Sequence, residues 1–228
     1  MLRVSGKTAD LFKGIMTSLP ADLLSGYRRF RSSRYREEAN RYAALADSQS
    51  PKTMIIACAD SRVDPATIFG AAPGELFVVR NVANLVPPWS DAADGLHGTS
   101  AALEFAVSEL GVQNIVVLGH GGCGGVSASL ATADNETVGQ FIGPWVELLS
   151  ASRDRVLADG SLKDMAARQT ALEHNGIRQS LENLMSFSFV SDAVSQGGLT
   201  LHGAWFSIGN GILHWFNQES GAFETIEV

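Results

Sequence analysis

The stretch Asn114-Ile115-Val116-Val117-Leu118 runs directly into Gly119-His120-Gly121-Gly122-Cys123-Gly124-Gly125, and no other part of the chain constrains the fold as tightly. The first half shows no polar alternation, the pattern of a strand covered on both faces. The second half sets five glycines around one histidine and one cysteine. Glycine permits tight turns and close backbone approaches that a side chain forbids. A helix of small residues is expected to open after the turn. A doubly covered strand followed by a tight turn and a helix implies a parallel sheet with helices on both faces.

The rest of the chain repeats that alternation. Strands are predicted at 54–57 and 76–79. Residues 98–110 read as a helix, with Leu103, Ala106, Val107 and Leu110 on one face. Helices are expected between 138 and 185. Segments 199–208 and 212–216 read as a hairpin around Gly209, Asn210 and Gly211. Ahead of the first strand, Leu23, Leu24, Tyr27, Phe30, Tyr35, Tyr42 and Leu45 recur at helical spacing. The expectation is therefore an α/β fold, with a mostly parallel central β-sheet flanked by helices, an N-terminal helical arm and an antiparallel edge strand. We read it as a single domain over residues 1–228, with 1–48 as the arm.

Composition narrows the class of function. With 228 residues, 45% hydrophobic and 18% charged, the chain can bury a full core and is not a disordered segment. Its 17 Lys+Arg against 24 Asp+Glu give a net charge of −7, which argues against nucleic acid as a partner. Arg28, Arg29, Arg31, Arg34 and Arg36 crowd the arm; we read them as pairing with carboxylates of the same or a second subunit. No run approaches the roughly 18 apolar residues that would cross a membrane. The first 20 residues lack the apolar core of a secretory leader. The expected location is cytoplasmic, where two cysteines stay reduced rather than forming a disulfide scaffold.

Chemistry concentrates at two strand ends, where open α/β sheets place their sites. One carries Cys58-Ala59-Asp60-Ser61-Arg62, the other His120-Gly121-Gly122-Cys123. His120 and Cys123 stand three apart on a flexible turn and can reach one ion. Cys58 from a neighbouring strand would complete a Cys₂His set, the three protein ligands of a catalytic zinc with a fourth position open. Spacing alone leaves that triad and a pair of buried thiols equally open. Asp60 beside such an ion could orient a reacting water, with Arg62 holding it off the metal in a two-pronged pair. The same turn matches the dinucleotide-binding pattern G-x-G-x-x-G. However, Asp134 and Glu136 fall too close to serve as its ribose ligand.

Taken together, Cys58-x-Asp60-Ser61-Arg62 and His120-x-x-Cys123 resemble the β-class carbonic anhydrases. Pro73 to Asn84, Gly98 to Val107 and Val116 to His120 are similar to that family too, so the resemblance spans roughly residues 25–220. It implies a zinc enzyme, a lyase interconverting carbon dioxide and bicarbonate, with zinc on Cys58, His120 and Cys123 and with Asp60 and Arg62 as the catalytic dyad. It implies a homodimer or dimer-based oligomer whose N-terminal helices embrace a second subunit. The plant-like, open-site subclass lines its substrate pocket with positions occupied here by Gln49, Phe77, Val82, Phe105 and Gly124. Phe105 stands where many members have tyrosine. Of the partners that build a bicarbonate-regulated closed state in another subclass, Arg80 is present, but Ile55 and Phe206 replace the aromatic ones. Hydrolysis of carbonyl sulfide or carbon disulfide, and non-catalytic bicarbonate binding, are the alternatives on the same fold. No proton shuttle is assigned among His97, His174, His202 and His214.

Overall fold

The computed structural model describes residues 19–90, 97–133 and 138–227. Residues 1–18, on which the leader reading rests, lie outside that set, as do Asp134 and Glu136. The chain divides into two compact units, Met1–Ser48 and Gln49–Val228.

In the first unit the arm forms three short helices, α1 (Ala21–Ser32), α2 (Arg34–Glu37) and α3 (Ala39–Leu45). The first break has a local cause. Ser32 and Ser33 turn their hydroxyls back onto the Arg29 carbonyl at 3.1 and 2.8 Å, and such bonds compete with helix continuation. Phe30, Tyr35 and Tyr42 gather with ring centroids 5.1–5.9 Å apart. Arg31 lies over Tyr35, and Arg34 pairs with Glu38 at 3.3 Å. No residue of these helices is buried.

The second unit is built on a six-stranded sheet in the order β2-β1-β3-β4-β5-β6. The strands are β1 (Thr53–Cys58), β2 (Leu76–Asn81), β3 (Asn114–His120), β4 (Thr200–Ser207), β5 (Ile212–Asn217) and β6 (Ala222–Thr225). β1 to β4 run parallel, and β5 and β6 add antiparallel neighbours at one edge. The fold class is the one expected, with β6 as an addition. That strand has four residues, too few to show a period of two.

Helices α4 (Pro65–Ile68), α5 (Gly98–Glu104), α6 (Gly124–Thr132), α7 (Ile142–Val146), α8 (Ser150–Ala158), α9 (Met165–Leu184) and α10 (Ser188–Ser195) connect the strands. The helix predicted over 98–110 ends as α5 and continues as one wider π turn, in which the Leu110 amide reaches the Phe105 carbonyl. One face of the sheet sends Met54, Ile56, Ile115 and Val117 against Leu103, Ala106, Ile177 and Leu184. The other carries Ile55, Ala57, Leu118 and Ala204, with Ile68 of α4 against them. A third cluster, around Cys58, Val63, Leu85, Cys123, Val126 and Leu149, lies at the carboxyl ends of the strands. None of the described helices is long and apolar enough to cross a membrane.

Candidate metal centre

Two neighbouring strands deliver the donors. β1 ends at Cys58 and β3 at His120, and the pairing of Ala57 with Leu118 sets these ends side by side. The turn after β3 brings Cys123 back to them. Gly122 takes φ of 65° there, a conformation that only glycine adopts without strain. Gly125 is required for close approach: a Cβ at that position would lie 2.6 Å from Val82 Cγ1.

The three side chains are buried, and their donor atoms all lie within 4.8 Å of one another. Both thiols are free, with the sulfurs 3.8 Å apart. Zinc–sulfur bonds of about 2.3 Å at a tetrahedral angle place two sulfurs about 3.8 Å apart, so the spacing suits one ion. His120 Nδ1 donates to the Gly121 carbonyl at 3.0 Å. That leaves the Nε2 lone pair buried and without a partner.

Electrostatics agree with a cation at this place. The Cys58 thiol is pushed down, first by a hydrogen bond from Cys123 and further by His120 and the amides of Asp60 and Ala83. Cys123 is pushed up by sharing that bond and by burial, although the Val126 and Gly125 amides at the start of α6 oppose this. Two buried thiols in contact cannot both ionise on their own, and a dication between them removes the conflict.

Asp60 lies beside this group, with Oδ2 3.9 Å from His120 Nε2. Arg62 holds it in a fork, Nε donating to Oδ1 at 2.9 Å and Nη2 to Oδ2 at 2.6 Å. The Arg62 amide adds a third bond to Oδ1. These bonds hold the carboxyl far below the usual carboxylate range. Arg62 Nη2 also donates to the Gly122 carbonyl at 3.1 Å, tying the pair to the turn. Arg80 has a role that the sequence did not reveal. Its guanidinium donates to the carbonyls of Cys58, Asp60 and Val63 at 2.6–3.0 Å, clipping the loop that carries Asp60.

Of the expected pocket residues, Phe77 and Phe105 come together with ring centroids 5.9 Å apart. Phe105 and Val82 are exposed, and Gly124 opens α6 next to Cys123. Gln49 is exposed in the segment ahead of β1. Of the histidines left unassigned, His174 is packed between Trp205 and Phe223, and His202 bonds Asn114 at the far end of β3.

Three further residues at the centre escaped the sequence reading. Glu173 Oε1 accepts from the Cys123 amide at 3.0 Å and from Gln169 Nε2 at 3.1 Å. Its Oε2 accepts from Trp205 Nε1 at 3.0 Å. The legible sign was a glutamate inside the apolar stripe Leu172, Gly176, Ile177, Ser180 and Leu184 of α9.

A parallel sheet that gathers a Cys–His–Cys group and an arginine-held carboxylate at its strand ends defines a narrow class of α/β proteins. The comparisons with known proteins place the chain within it. The carbonic anhydrase family model matches residues 53–213. Beta carbonic anhydrase 5, chloroplastic, of Arabidopsis thaliana is 38% identical over 186 residues, covering 82% of this chain and 61% of that protein. The chain thus spans about three fifths of that relative's length. The structure of the β-carbonic anhydrase CcaA superposes with a TM-score of 0.84 at 27% identity, covering 91% of this chain and 92% of that one. Structures of two tetrameric β-carbonic anhydrases from Sordaria macrospora give 0.77 at 29% identity, with 86% and 95% covered. The chain belongs to the β-class carbonic anhydrases.

Proposed function

We propose that the chain catalyses the reversible hydration of carbon dioxide to bicarbonate and a proton, with one zinc ion held by Cys58, His120 and Cys123. The observation that carries this reading is the meeting of three buried soft donors, one of them the unpartnered Nε2 of His120, with an Asp60 already committed to Arg62. Zinc bound there supplies the Lewis acidity that makes water a nucleophile near neutral pH.

The chain's own residues do the rest. Asp60 accepts a hydrogen bond from the reacting water and so aims its lone pair at the substrate. Arg62 fixes both carboxylate oxygens, which keeps Asp60 ionised and prevents it from becoming a fourth ligand. Phe77, Val82, Phe105 and the open backbone at Gly124 offer a linear, apolar molecule an apolar wall. Gln49 donates to an oxygen of carbon dioxide or bicarbonate. A compartment that keeps both thiols reduced, the cytoplasm in our reading, suits this donor set. The chain works as a homodimer or a dimer-based oligomer. In support, Val78 and Trp215 are exposed at positions that register with Ile55 and Ala204 on the sheet face against which Ile68 of α4 packs.

The test is Asp60→Asn, which keeps the shape and removes the acceptor charge. The expected result is unchanged zinc content with hydration reduced by about 100-fold or more. Wild-type activity in a zinc-replete variant would remove Asp60 from the reaction.

A further inference from the structure

The turn that carries Cys123 has few side chains with which to hold itself, since five of the seven residues from Gly119 to Gly125 are glycines. A ligand on such a turn needs to be fixed from outside. The outside grip comes from α9 and β4. Glu173 is 4% exposed, and its carboxylate accepts from three N–H groups: the Cys123 amide, Gln169 Nε2 and the Trp205 indole. Gln169 Nε2 also reaches the Cys123 carbonyl at 3.3 Å, while Gln169 Oε1 accepts from Ser127 Oγ at 2.9 Å. Trp205 packs against the turn, where a Cβ on Gly121 would fall 3.0 Å from its Cζ2. The amide and the carbonyl of Cys123 are thus both held, and its Sγ is what remains to meet an ion.

Packing alone does not explain this arrangement. Glu173 occupies a core position of α9, where leucine would bury more apolar surface. A buried carboxylate there lowers stability unless its oxygens are fully answered. The interstice lined by Glu173, Cys123, His120 and Gly119 has no room for a water molecule, so protein donors alone must answer it.

We propose that Glu173 is a positioning residue: through the Cys123 amide it sets where the Cys123 sulfur meets the metal, and Trp205 holds Glu173 in register. This rests on the zinc reading above. Outer partners of metal ligands commonly govern affinity by ten- to a hundred-fold, and here the partner grips the ligand's backbone rather than its side chain.

The experiment uses the full chain loaded with cobalt(II) as a spectroscopic stand-in for zinc. Glu173→Gln keeps the volume but sets an amide NH₂ against either the Cys123 amide or the Trp205 indole, donor against donor. Its thiolate-to-cobalt and d–d bands should shift, and metal loss to a chelator should be at least about tenfold faster. Both are read at a temperature where its circular dichroism matches wild type. Trp205→Phe removes the indole donor to Glu173 together with the ring edge behind Gly121, and should shift the same bands in the same direction by less. It also serves if Glu173→Gln does not fold. Wild-type bands and loss rates in whichever of these variants fold would overturn the proposal, even if melting temperatures fall. A wild-type chain that binds neither cobalt nor zinc would overturn the metal reading itself.

Discussion

Asp60 and Arg62 show what one pair of side chains contributes. The fork of two bonds at 2.9 and 2.6 Å needs a planar guanidinium. Arg62→Lys offers a point charge that can meet one oxygen, so we expect zinc to stay and hydration to fall by roughly ten-fold or more. Stopped-flow rates normalised to bound zinc check this. His174 titrates away from the site. Burial, with smaller effects from Arg178 and His214, pushes its ring down to about 4, against 6.5 for a free imidazole. The unfolded chain therefore binds the proton more tightly. The stability tied to this group is complete above pH 6.5 and is lost as the pH falls towards 4. The loss is at most roughly 3 kcal/mol, and less because part of the ring remains in solvent. Urea unfolding of His174→Gln at pH 7.5 and 4.5 should show a weaker acid dependence than wild type, and an identical dependence would contradict the assignment. At this scale the sequence was most readable where local context marks a residue. Cys58 and His120 close short apolar runs and Cys123 sits among glycines. Glu173 and Trp205 act through contacts across 50 and 32 residues of chain, which no local pattern records.

Elements reach the site by being anchored at their far ends. Helix α6 starts on Cys123, and its other end is gripped by Arg153 of α8. Arg153 is 9% exposed and donates to the Ser129 carbonyl, Thr132 Oγ1 and Glu147 Oε1. Its carboxylate partners are largely exposed, so the ion pairs contribute little. The bonds to the end of α6 and the packed guanidinium carry the effect. Arg153→Met should destabilise the chain by about 1–3 kcal/mol in denaturant unfolding. A change within about 0.5 kcal/mol would mean that α6 is held otherwise. The strands at 54–57 and 114–118 were readable because central parallel strands are apolar on both faces, and 76–79, at the sheet edge, was readable as a short apolar run; each extends one or two residues further into the site. What escaped was short or interrupted. Helix α4 has four residues, β6 has four, and the arm breaks where serine hydroxyls take the Arg29 carbonyl.

At the scale of the molecule, a net charge of −7 argues against nucleic acid as a partner. Val78 is 40% and Trp215 44% exposed on one face of the sheet, apolar surface that a second subunit would cover in the proposed assembly. Sedimentation at micromolar concentration should give at least twice the chain mass of 24.2 kDa, and a monomer would contradict the proposed assembly. The central claim is catalysis itself. Its most direct test is stopped-flow hydration of carbon dioxide at pH 8.5 on protein whose zinc has been quantified. We predict about one zinc per chain and rapid turnover that is lost when the metal is chelated and restored when zinc is returned. A chain carrying its full zinc that hydrates carbon dioxide no faster than buffer would contradict it.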